Sequence, residues 1–187
     1  MKKEIERAKV ALSTAETGKN VVVVSSGDPG VYGMAGPILE LGRNYEVKIE
    51  VIPGLTAANA SAAALGAPLM NDYACISLSD LLTPFEVIKN RVKAAAQGDF
   101  VIVFYNPKSK QRQIQFQRIV ELLLELKAHT TPVGIVKNCK RPDEKVILTS
   151  LDKIPVDEVD MASTVIIGNS QSYIEFDRFI TPRGYQI

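Results

Sequence analysis

One histidine, His129, stands in 187 residues, and tryptophan is absent. That excludes histidine pairs and triads, and any metal centre built on several imidazoles. Cysteine is nearly absent too. Cys75 and Cys139 are far apart and form no CxxC, which argues against a disulfide framework or a thiolate zinc site and fits a reducing cytoplasm. Charge of one sign is missing: 22 basic residues face 21 acidic ones, for a net +1. No broad field invites nucleic acid or an anionic membrane. No apolar run approaches the roughly 20 residues of a membrane-spanning helix, and no signal peptide opens the chain. The expectation is a cytoplasmic protein with neither nucleic acid nor membrane as partner, and with no metal site.

What the chain does have is two glycine-proline loops, each after an apolar run. They are VVVVSSGDPGVYG, residues 21–33, and VKIEVIPGLTAANASAAALG, residues 47–66. In each, a β-rich segment meets a tight turn and a small-residue helix follows. Two such loops one βα unit apart bring backbone amides to the carboxyl ends of neighbouring parallel strands, the edge where open α/β sheets bind ligands.

Strand and helix signals alternate along the chain. The opening reads as an amphipathic helix, with Ile5, Ala8, Val10 and Ala11 near one face. Strands are expected at 21–25 and 47–52, and helices at 34–41 and 56–65. GAPLMNDY, 66–73, reads as a linker. A second block follows, with strands at 74–79, 99–105, 133–137, 145–149 and 164–167, helices at 85–96 and 109–127, and a strand pair in the tail. The expected fold class is α/β, as two small lobes, 1–66 and 73–187. An α/β domain usually opens with a strand, so a start inside a helix suggests an absent βα unit.

SSGDPG lacks GxGxxG and GxxxxGKS, and Asp28 stands where a pyrophosphate would sit. A carboxylate beside backbone amides suits a ligand with hydroxyls and positive charge, such as S-adenosylmethionine. The plain alternative is a βα turn with Asp28 capping a helix. In IPGLTA, Gly54 allows close approach, and Thr56 is either a ligand contact or an N-cap. From Phe100 to Val120 the charged residues are Lys108, Lys110, Arg112 and Arg118, without an acid. Bases in a first helical turn oppose its dipole. They form either a solvated helix start or a patch for an anionic substrate, with Lys137, Lys140 and Arg141 able to extend it. Cys75 is expected in the core and His129 on the surface.

SSGDPGVYG, VIPGLTAANASAAALGAPL, FVIVFYNPKSKQR, VGIVKN, TVIIGNSQSY and ITPRGY, taken in order, resemble the tetrapyrrole (corrin/porphyrin) methylases over essentially the whole chain. FYNPKSKQR and IIGNSQSY favour the branch that methylates C17 of a corrin precursor, precorrin-3B or its cobalt form, with ring contraction. The resemblance implies two α/β lobes with a ligand cleft between them, S-adenosylmethionine as methyl donor, a tetrapyrrole substrate and a homodimer. It carries donor contacts to Gly27, Asp28, Val31, Thr56 and Ala57, and to Asn106, Cys139, Ser163 and Thr164. It assigns Lys108, Lys110 and Arg112 to the substrate's carboxylates. Asn106 departs from the family pattern, where relatives often carry Met. The family's opening strand and Gly-x-Gly-Pro-Gly loop have no counterpart here.

Methyl transfer from a sulfonium to an electron-rich carbon is an in-line displacement with a neutral leaving group. Positioning can lower much of its barrier, roughly 7–11 kcal/mol in intramolecular models, so scarce histidine is no obstacle. Ring contraction does need proton handling. Its acid and base stay unassigned, with Asp28 a candidate by position. Alternatives are a relative acting on uroporphyrinogen, a diphthamide intermediate or ribosomal RNA, or an inactive truncated form.

Overall fold

A computed structural model describes residues 3–109 and 112–186. The chain forms two compact units, Met1–Ala57 and Ala58–Ile187. They divide earlier in the chain than the linker expected at 66–73.

The first unit holds α1 (Glu4–Glu16) and α2 (Ala35–Gly42). Glu4 and Glu6 in the first turn of α1 suit the positive end of its dipole. Its buried residues, Ala8 and Leu12, lie one turn apart, whereas Ile5 and Val10 are exposed. The buried stripe is therefore narrower than, and rotated from, the expected one. Gly42 ends α2 in close contact: a Cβ there would lie 2.3 Å from Ile49 Cδ1. The runs at 21–25 and 47–52, expected as strands, join no ladder among the described residues. A strand exists by its lateral hydrogen bonds, and the described part of this unit offers these runs no pairing. Val22 and Val24 consequently remain 85% and 88% exposed.

The second unit takes up the chain along α3 (Ala57–Leu65) and the two-residue β1 (Gly66–Ala67). Then come β2 (Tyr73–Ser77), α4 (Phe85–Gln97), β3 (Val101–Tyr105), α5 (Ile114–Leu126), β4 (Pro132–Lys137), β5 (Lys145–Ser150), β6 (Ser163–Ile167), β7 (Tyr173–Glu175) and β8 (Arg178–Ile180). The main sheet has order β2-β3-β6-β4-β5. β2 and β3 are parallel, and the other three pairings are antiparallel. A smaller sheet, β1-β8-β7, includes the strand pair expected in the tail.

Strand alternation sorts the core of the main sheet onto two faces. Val101 and Val103 of β3 pack with Ala58, Ala62 and Leu65 of α3. Ile102 and Phe104 pack with Ile88 and Val92 of α4 and with Phe116, Ile119 and Leu123 of α5. β3 is apolar on both faces because both are covered. The alanines of α3 let its backbone come close, and Gly134 of β4 makes room for Leu65: a Cβ at 134 would lie 2.5 Å from Leu65 Cδ1. α5 starts later than the sequence suggests, because Ser109 and Arg112 first exchange backbone hydrogen bonds in a turn. Ile114, the first residue of α5, is exposed.

Candidate functional site

The register of the main sheet brings several expected site residues to one edge. β2 and β3 run parallel and end together, with Ser77 opposite Tyr105. β4 runs the same way and ends at Lys137, opposite Ser163 at the start of β6. Asn106, Cys139, Ser163 and Thr164 therefore share this edge. Asn106 and Asn138, just past β3 and β4, have φ of 51° and 50°. Asparagine enters this left-handed region more readily than most residues, and both chains turn sharply there. Asn106 Nδ2 donates to Ser77 Oγ at 3.0 Å, linking the ends of β3 and β2.

At the same edge the Ala58 amide, in the first turn of α3, donates to the Tyr105 hydroxyl at 2.7 Å. A strand side chain thus satisfies a helix-start amide that has no intrahelical acceptor. Among the described residues Ser61 Oγ, fully buried, makes no hydrogen bond of ordinary geometry, and it lies against the Cys139 thiol. Burial pushes that thiol up and outweighs the opposing effect of Ser61, with Glu144 adding to the rise and Lys140 opposing it. Cys139 is therefore a neutral, small polar wall and not a thiolate. Ser163 spends its hydroxyl on Asp160: it donates to Oδ1 at 3.1 Å and accepts from the Asp160 amide at 3.1 Å. Lys137 Nζ meets the other Asp160 oxygen at 2.5 Å. Burial raises the Asp160 carboxyl, but Lys137, the Ala162 amide and Ser163 outweigh it and hold the group below its ordinary value.

In the first unit the two glycine-proline loops meet backbone to backbone. Gly27 has φ of 73°, a conformation that suits glycine. Gly54 is the close-approach glycine expected: a Cβ there would stand 2.2 Å from the Gly27 carbonyl oxygen. Asp28 does not cap α2, the helix that follows it. α2 has Met34 at its N-cap and no side-chain cap. Instead Asp28 Oδ1 accepts from the Gly30 amide at 2.8 Å and Oδ2 from the Gly54 amide at 2.9 Å. The Gly54 amide, then that of Gly30, hold its carboxyl below the ordinary value. Among the described residues the Gly27 and Asp28 amides donate to no backbone acceptor. Val31 is partly exposed beside them, and Thr56 and Ala57 follow two residues after Gly54.

Comparison with known proteins fits this arrangement. The family model of the tetrapyrrole (corrin/porphyrin) methylases matches residues 2–155. The chain belongs to the tetrapyrrole methylases. It is 49% identical over 189 residues to a probable cobalt-factor III C(17)-methyltransferase of Salmonella typhimurium, covering 100% of this chain and 78% of that protein. It is 48% identical to a cobalt-factor III methyltransferase of Priestia megaterium, of whose length it covers 36%. The solved structure of the methyltransferase CobJ is 39% identical, with TM-score 0.92, over 96% of this chain and 77% of that one.

The expected patch of tetrapyrrole-binding bases needs correction. Lys108 and Arg112 are buried, at 7% and 5% exposure. Lys108 Nζ donates to the Val156 carbonyl. Arg112 Nη1 donates to the Leu78 carbonyl at 2.5 Å, and its Nε lies 3.6 Å from Asp80 Oδ1. Both heads are spent on tying the segment after β3 to its neighbours. The pull of unsatisfied carbonyls outranked the exposure that charge alone suggested. Lys110 lies outside the described residues. Cys75, expected in the core, is exposed on the edge strand β2. His129 is exposed in the turn after α5, as expected. Residue-by-residue reading missed Tyr105, Ser77 and Ser61, whose parts depend on partners 28 or more positions away; the one available hint was that Tyr105 and Ser77 end apolar runs.

Proposed function

We propose that this chain is an S-adenosylmethionine-dependent C-methyltransferase of cobalamin biosynthesis, adding a methyl group at C17 of a cobalt-factor III or precorrin-3B macrocycle, with ring contraction. The observation that carries the reading is the pair of loops in the first unit. Among the described residues they leave the Gly27 and Asp28 amides without backbone acceptors, and they set the Thr56–Ala57 pair two residues past the Asp28–Gly54 bond. That donor set suits a nucleoside with hydroxyls and does not suit a polyphosphate, which the Asp28 carboxylate would repel.

We assign the donor to Gly27, Asp28, Val31, Thr56 and Ala57 in the first unit, and to Asn106, Cys139, Ser163 and Thr164 at the sheet edge of the second. S-adenosylmethionine supplies, when bound, a methyl group on a sulfonium. The chain's own part is to hold and orient. The backbone of the loops fixes the nucleoside, and Val31 offers it an apolar contact. Cys139, kept neutral by burial, does not compete as a nucleophile for the methyl group. With Lys108 and Arg112 engaged internally, the macrocycle's carboxylates fall to the exposed Lys140 and Arg141 in the turn after β4. The protein acts as a cytoplasmic homodimer, without nucleic acid or membrane as partner. Among the described residues no helix is long and apolar enough to cross a membrane.

A second reading, a fold that turns over no substrate, is favoured by the exposure of Val22 and Val24, whose run finds no ladder among the described residues. Calorimetry with S-adenosylhomocysteine tests the donor assignment. Heat of binding at micromolar to millimolar ligand supports it; its absence, with binding of NAD or ATP instead, overturns it. Light scattering at micromolar protein tests the dimer.

A further inference from the structure

We propose that Asp28 is a positioning residue: with one carboxylate oxygen on each loop, it sets the register of residues 54–57 against residues 27–31 before any ligand arrives. This rests on the donor-binding reading above. Both oxygens are engaged within the protein, Oδ1 by the Gly30 amide at 2.8 Å and Oδ2 by the Gly54 amide at 2.9 Å. The two loops touch through backbone. A Cβ at Gly27 would meet the Leu55 carbonyl oxygen at 3.6 Å, and one at Gly54 would lie 3.3 Å from Asp28 Cα. At such separations a small shift of either loop moves the Thr56–Ala57 pair relative to the Gly27 and Asp28 amides.

The chemistry favours aspartate over its isostere. An ionised carboxylate offers acceptors on both oxygens, whereas an asparagine has one acceptor oxygen and one NH2 group. Asp28→Asn would therefore set an N–H against either the Gly30 or the Gly54 amide, and one bond of the tie would become a repulsion. The hydrogen bonds that form the tie also favour the ionised form, so the tie is complete at neutral pH. A carboxylate that served only as a ligand contact would not need the Gly54 amide.

The test uses the full chain with S-adenosylhomocysteine as probe. Two quantities are measured in wild type and Asp28→Asn: the dissociation constant by calorimetry, and hydrogen-exchange protection of the Gly54 amide by NMR without ligand. The expected result is a protected Gly54 amide in wild type, loss of that protection in the variant, and a dissociation constant raised about tenfold or more. Weakened binding with Gly54 still protected would make the Asp28 carboxylate, and not only the Asp28 backbone, a direct ligand contact and overturn the proposal. Unchanged binding would overturn it too. A wild type that binds no probe overturns the donor reading beneath it, and is told apart because Gly54 protection still reports the tie. Should the variant not fold, the wild type decides: the Gly54 amide shift must titrate with the Asp28 carboxyl, and an amide blind to that titration contradicts the proposal.

Discussion

The amide of Ala58 donates to the hydroxyl of Tyr105 at 2.7 Å, joining residues 47 positions apart. One end of α3 is thereby fixed to the end of β3, where Asn106 turns the chain. This bond ties the entry of α3 to the sheet edge that carries Asn106, Cys139, Ser163 and Thr164.

Tyr105→Phe removes that acceptor and leaves a helix-start amide without it. The expected cost is about 1–2 kcal/mol in urea unfolding, with weaker S-adenosylhomocysteine binding as α3 loses its anchor. A variant as stable as wild type would show that the bond contributes nothing to the fold.

The Asp28 tie has a defined dependence on pH. Its folded pKa is depressed by the Gly54 and Gly30 amides. Its contribution is therefore fully present above the ordinary carboxylate value and is lost as pH falls through the lowered folded value. From about pH 5 upward the tie should be insensitive to pH. Carbon-13 NMR of labelled aspartate should place the Asp28 midpoint below that of an unstructured peptide. A midpoint at or above it would contradict the bonding described.

The basic residues separate into two roles. Arg112→Met leaves the Leu78 carbonyl without this donor and leaves Asp80 only its bond from Gln115, and should cost about 1–3 kcal/mol of stability. Lys140→Gln with Arg141→Gln should leave stability within about 0.5 kcal/mol and raise KM for the macrocycle several-fold, with donor affinity unchanged. Exposed charges are screened by salt, so the wild-type KM should worsen as ionic strength rises. A double variant with wild-type KM would remove Lys140 and Arg141 from substrate recognition.

Much of this was legible in the sequence. The second unit's helices and strands follow apolar periodicity, and the close approach at Gly54 followed from a glycine after Ile-Pro at the end of an apolar run. The strands at 21–25 and 47–52 were misread for a physical reason. Val21–Val24 has the continuous apolar run of a buried parallel strand, and Val47–Ile52 alternates apolar and charged residues, but neither pattern supplies the lateral neighbour that makes a ladder. Lys108 and Arg112 were misread because charge predicts exposure only where no buried carbonyl demands a donor. The tie from Asp28 to Gly54 and the bond from Tyr105 to Ala58 depend on residues 26 and 47 positions away, beyond the reach of any local pattern.

Methyl transfer itself tests the central claim most directly. The full chain is incubated without oxygen with cobalt-factor III and S-adenosylmethionine carrying a carbon-13 methyl group, and the macrocycle is examined by NMR and mass spectrometry. The account predicts one labelled methyl on the macrocycle, at C17, with S-adenosylhomocysteine formed in equal amount. A macrocycle that stays unlabelled, under conditions where the same protein binds S-adenosylhomocysteine, would contradict it.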